Sequence, residues 1–223
     1  MNSTKKQKNK AEWLTPALLI MLSLVPVLAG AARLSELASG AQVTPDNARF
    51  FASPIPVVVH IVSVSLYAML GAFQFAPGFR RRNSRWHRFV GKWILVPCGL
   101  GAALSGLWMT QFYPWPKGDG ELLYVFRLIF GSAMLLSIIL GAFAARRRDY
   151  PRHGDWMMRG YAIGLGAGTQ VFTHVPWLLL FGVPGELTRA LLMAAGWIIN
   201  IIVVEWIIRR RRTRKSRNSL AYA

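Results

Sequence analysis

Histidine occurs four times in this chain of 223 residues, and its neighbours sort those occurrences into two groups. His60 and His174 fall inside long apolar stretches; Gln170 stands one helical turn before His174, and Arg127 lies inside a third apolar stretch. His87 and His153 instead stand beside Arg-rich turns, accompanied by Arg88 and Arg159, with Gln74 near the end of an apolar stretch at a similar depth. Imidazoles on facing helices supply the axial ligands of a haem iron, and guanidinium groups pair with propionates or other anions. The same imidazoles also relay protons near neutral pH.

Six apolar stretches must position these groups: Trp13 to Leu34, Ile55 to Phe79, Phe89 to Tyr113, Leu122 to Ala145, Trp156 to Gly182 and Leu187 to Ile208. Each meets the length of about 20 residues that a helix needs to cross a bilayer. The expected fold is all-α, a polytopic membrane bundle of six transmembrane helices. Residues 1–12 form a basic N-terminal tail, 13–208 the membrane domain and 209–223 an Arg-rich C-terminal tail.

Charge gives the orientation. Lys5, Lys6, Lys8 and Lys10 precede the first stretch; Arg80, Arg81, Arg82, Arg85, Arg88 and Lys92 join the second to the third. Arg146, Arg147, Arg148, Arg152 and Arg159 join the fourth to the fifth, and Arg209 to Arg217 follow the sixth. The positive-inside rule then makes both termini cytoplasmic. The net charge of +18 follows helix ends and does not point to nucleic acid; its partners are anionic lipid headgroups at the cytoplasmic face. The first stretch is longer than the apolar core of a signal peptide and reads as an uncleaved anchor. The lone Cys98 permits no intrachain disulfide.

Depth and azimuth follow from helix geometry. His60, Arg127 and His174 lie roughly 8 to 12 Å below the outer surface at 1.5 Å per residue. Gln74 shares a helical face with His60, whereas His153 and His174 are about 60° from alignment on one continuous helix. Gly160, Gly164 and Gly168 repeat at the spacing that lets another helix approach closely. Glu205 stands four residues before Arg209, the spacing of an ordinary end-of-helix ion pair, and Asn200 is placed to hydrogen-bond a neighbouring helix. No nucleophile, paired carboxylates or HExxH supports hydrolysis, and no HxxxH pair argues for zinc.

Several local motifs together resemble one bacterial membrane family. They are Phe73-Gln74-Phe75 before an Arg-rich turn, His87-Arg88 with Gly91 and Lys92, His153 with Trp156-Met157-Met158-Arg159 and Tyr161-Ala162, Gly168-Thr169-Gln170, and Trp197 with Asn200, Glu205 and Trp206. The family is domain of unknown function family 2306, and the likeness spans about Val58 to Arg209. The resemblance implies a multi-pass protein of the bacterial cytoplasmic membrane and names no substrate.

Three functional expectations follow. The first is a b-type haem redox protein, with His60 and His174 as axial ligands and Gln170 and Arg127 beside them. An inner haem on His87 and His153, with Arg88, Arg159 and Gln74, is disfavoured because His153 and His174 are about 31 Å apart along one helix. The second is binding or transport of a small anionic or lipid-like ligand by Arg127, with His60 and His174 as donors or relays. The third is a structural accessory protein whose inner histidines and arginines hold lipid phosphates.

Overall fold

The computed structural model describes the backbone of residues 2–220, and the side chains of 13–76 and 78–214. The side chains of Lys5, Lys6, Lys8, Lys10, Lys215 and Arg217, on which part of the charge argument rests, lie outside the described residues. Among the described residues every regular element is helical.

Five helical stretches are long and apolar enough to cross a membrane: Trp13–Ala38, Pro54–Gln74, Ser84–Phe112, Glu121–Arg146 and Glu186–Arg214. The first belongs to α1 (Asn2–Ala38), and a short α2 (Ala48–Ala52) leads into α3 (Pro54–Gln74). α3 ends earlier than the apolar run suggests. Ala76 precedes Pro77 and is extended, at φ −86° and ψ 104°, because the proline ring clashes with a helical residue before it. The chain restarts as α4 (Pro77–Arg82) and α5 (Ser84–Val90). A π-helical segment, Gly91–Leu95, then carries it into α6 (Val96–Phe112).

α7 (Glu121–Arg146) is unbroken, but the expected fifth span is not. It divides at Leu165 into α8 (Tyr150–Gly164) and α9 (Gly166–Phe181), and neither half alone has the length of a full crossing. The break has a local cause and a distant support. Leu165, at ψ −1°, stands between two glycines, and Asn200 on α10 (Glu186–Leu220) donates its amide to the Ala162 carbonyl at 3.0 Å. That carbonyl would accept from Gly166 in a continuous helix. Asn200 also accepts from Thr169 Oγ1 at 2.7 Å, so it holds both halves, as expected of an interhelical residue. The Arg-rich segment that follows Ile208 is helical and continues α10.

α3, α6, α7 and α8 pack side by side, α10 covers α7, α8 and α9, and α1 lies against α3 and α9. Their common core contains Tyr67, Ala102, Met134, Ile138, Tyr161 and Leu165. The glycines of α8 and α9 serve this packing without forming one strip. Gly160 gives room to Ile138 and Gly164 to Tyr67, while a Cβ on Gly168 would stand 2.1 Å from the Leu22 carbonyl oxygen of α1. Outward faces carry Leu18, Met21, Leu28, Ile129, Leu179 and Ile202, as expected where lipid replaces water.

Candidate functional site

A cavity of about 450 Å³ opens between α1, α3, α6, α7 and the α8–α9 break. Its mouth is ringed by Arg49, Phe50, Tyr113, Trp115, Asp119 and Arg127; His60 and Thr110 lie deeper, and Ala68, Met134, Gly164 and Trp197 form the floor. The upper wall is charged and the lower wall largely apolar. Such a division orients a ligand with one polar end.

The charge at the mouth is not balanced. Asp119 has a side chain 2 % exposed and accepts from Arg127 Nη1 at 2.6 Å and from Arg189 Nε at 2.7 Å. One buried carboxylate thus holds two guanidinium groups from α7 and α10. Arg49 makes no ion pair among the described residues; its guanidinium lies 4.6 Å from the Phe50 ring centroid, with that of Arg33 at 4.7 Å. Arg33 itself pairs with Glu36, which also accepts from Asn47 Nδ2 at 2.5 Å. Burial pulls the Arg49 pKa below its ordinary value; the carboxylates Asp119 and, more weakly, Asp46 oppose this, and the cations Arg33 and Arg127 reinforce it. An anion between Arg49 and Arg127 would relieve that repulsion.

His60 is fixed in orientation. Its Nδ1 lies 2.9 Å from the Ala102 carbonyl oxygen and 3.2 Å from Ser105 Oγ, so Nδ1–H donates to the carbonyl and Nε2 is left as an acceptor. A locked tautomer of this kind suits a ligand donor as well as it suits a metal. Gly106 makes the space, since a Cβ there would be 3.2 Å from His60 Cε1.

His174 does not share this opening. Its Nδ1 bonds the Gln170 carbonyl of its own helix at 2.9 Å, and the ring stays outside the cavity lining. The two histidines expected to share one iron, His60 and His174, are thus not both in the lining of this cavity. Equal depth says nothing of azimuth, and the break at Leu165 resets the azimuth of α9 relative to α8. Gln170 does line the cavity, but it holds His174 through its backbone; its side-chain Nε2 donates to the Met193 carbonyl at 3.0 Å. Arg127 is tied to Asp119.

The inner group is also reorganised. Arg159 meets Glu205 in a two-pronged pair, Nε to Oε1 at 2.5 Å and Nη2 to Oε2 at 3.1 Å, so Glu205 serves a neighbouring helix and not Arg209. The Arg159 guanidinium also lies over Trp156, at 4.7 Å. His153 Nδ1 bonds the Gly141 carbonyl of α7 at 2.8 Å, and Arg88 is exposed. Among the described residues, His87 Nδ1 and both amide atoms of Gln74 are buried without a hydrogen-bond partner. Among the described residues no group of three or more His, Cys, Asp or Glu is placed to hold a metal ion.

Arg49, Arg189 and Asp119 are candidate functional residues that no sequence motif singled out. The available signal was an acidic residue in a short Pro- and Gly-rich loop of a chain with only 9 acidic against 27 basic residues. A family model described as "Predicted membrane protein (DUF2306)" matches residues 57–208. No curated protein and no solved structure matches the chain.

Proposed function

The chain belongs to this family of predicted membrane proteins, and we propose that its cavity binds a small amphiphilic anion, charged group at the mouth and apolar part against the floor. One observation carries the reading: Arg49 and Arg127 line a single opening, and the Asp119 carboxylate there is already engaged by Arg127 and Arg189. A carboxylate, sulfonate or phosphate monoester supplies the missing negative charge, and a guanidinium holds such groups with charge-assisted hydrogen bonds. His60 Nε2, below the charged ring, accepts from a hydroxyl or an ammonium farther along the ligand. Met134, Ile163 and Trp197 receive an alkyl or aryl portion.

In this reading α8 and α9 together make one crossing beside the five long helices, so both termini lie on one side. The basic segments then set that side as cytoplasmic, against anionic headgroups in a bacterial inner membrane. A b-type haem role would need a second axial ligand for His60, and His174 does not face the cavity; the anion reading needs no rearrangement.

Trp115 and Trp197 line the cavity and report on its contents. Octanesulfonate, permanently ionised, should shift or quench the tryptophan emission saturably in purified full-length protein. Arg49→Gln should weaken that binding by about tenfold to a hundredfold, the factor for one hydrogen bond to a charged group. An unchanged affinity in the variant would remove Arg49 from the site and the anion reading with it.

A further inference from the structure

Directly beneath the cavity floor stand two buried tyrosines, Tyr67 and Tyr161. Ala68 lines the cavity, and its carbonyl accepts the Tyr161 hydroxyl at 2.6 Å. Tyr161 stands edge-on to Tyr67, ring centroids 5.6 Å apart, and leans on Phe75 at 4.7 Å. Glycines make the sockets: a Cβ on Gly71 would lie 2.4 Å from the Tyr161 ring, and one on Gly99 would lie 2.8 Å from Tyr67.

Beyond these tyrosines, polar groups resume. Gln74 sits one turn past Gly71, and its neighbour Phe73 meets Trp86, the neighbour of His87, at 6.3 Å between ring centroids. His87 stands within electrostatic range of His153, Arg80 and Arg88. Neither Gln74 amide atom nor His87 Nδ1 has a partner among the described residues, and all three are closed off from solvent. Buried polar atoms left in this state are rare and costly. A second arrangement in which water reaches them would remove the cost. The π-helical segment that begins just after α5, which carries His87, is a frequent companion of functional sites, and a Cβ on its Gly91 would meet nothing within 4 Å.

We propose that the bundle carries its anion across the membrane, with Tyr67 and Tyr161 as the closed gate and Gln74, His87 and His153 lining a vestibule beyond it. The proposal rests on the cavity being an anion site. Opening the gate joins the cavity to the vestibule and hydrates Gln74 and His87. Arg80 and Arg88 make that vestibule attractive to an anion arriving from the cavity.

Cysteine accessibility in proteoliposomes tests this with the full chain carrying Cys98→Ser. In that background Gln74→Cys should react with a membrane-impermeant methanethiosulfonate added on the side opposite the Arg80–Arg88 turn, from which it must pass the cavity, Tyr67 and Tyr161. Its rate should lie well below that of the control Ser65→Cys on the cavity wall, and Tyr161→Phe, which frees the Ala68 carbonyl, should raise it severalfold. Complete inertness of the Gln74→Cys thiol, with and without Tyr161→Phe, while the control reacts, would show a permanently sealed end and overturn the gate. Ser65→Cys, on the cavity wall, judges the binding reading separately. Octanesulfonate should protect it from reagent on that same side, and loss of that protection would remove the ligand while the Gln74→Cys variant still decides the gate.

Discussion

The two ends of the bundle are similar in composition and opposite in construction. Each offers histidine, arginine and a glutamine, yet at one end polar groups surround an open cavity and at the other some are closed in. Asp119 organises the cavity end by holding Arg127 and Arg189 with one buried carboxylate, which leaves Arg49 and Arg127 facing shared space. At the other end Arg159 is neutralised by Glu205, and the Gln74 amide and His87 Nδ1 are closed off without partners among the described residues. Residue type therefore says less about binding than the room around it and the fate of each charge.

The comparison breaks most readily at Asp119. Asp119→Asn should cost about 3 to 5 kcal/mol of stability, because removing one partner from a buried ionic cluster leaves like charges facing each other. Thermal unfolding in detergent measures this, and a loss below about 1 kcal/mol would mean that the cluster is not a network. Next in size is Gly168→Ala, whose Cβ would meet the Leu22 backbone at 2.1 Å. Overpacking of that kind costs about 1 to 3 kcal/mol. Gly91→Ala, with open space around it, should be tolerated; equal melting of these two variants would contradict the packing assigned to α1 and α9.

Asn200→Leu sharpens the account of the broken helix. Losing the donor to Ala162 strands a carbonyl and a Thr169 hydroxyl at the break, at a cost of about 1 to 3 kcal/mol. A variant as stable as the parent would mean that Asn200 does not hold the break. The smallest expected effect has the opposite sign. Gln74→Leu replaces an unpartnered amide by an apolar group of similar size, so stability should stay level or rise by up to about 1 kcal/mol. A clear loss in the same melting assay would reveal a partner for Gln74 and end the contrast between the two ends.

The apolar runs were enough to place most of the helices, since a membrane helix is written continuously in sequence. The break at Leu165 was not legible, because its hydropathy is that of an unbroken span and Asn200, the support that stabilises it, lies on another helix far along the chain. Gly164 and Gly166 were the only local hint. His60 and Arg127 were legible as buried polar groups in otherwise apolar helices. His174 looked the same on those grounds and does not line the cavity, since depth follows from counting residues while azimuth depends on the helix being continuous. Arg49 and Asp119 come from connecting segments, where no periodicity tells which side chains turn inward.

The central claim is that the outer cavity selects negative charge. Octanesulfonate and octyltrimethylammonium, with equal alkyl chains and opposite heads, should be titrated calorimetrically into the protein in lipid nanodiscs of uncharged lipid. The account predicts saturable binding of the sulfonate alone, weakened in Arg49→Gln and by added salt. Equal binding of the two ions, or binding of the cation alone, would contradict it.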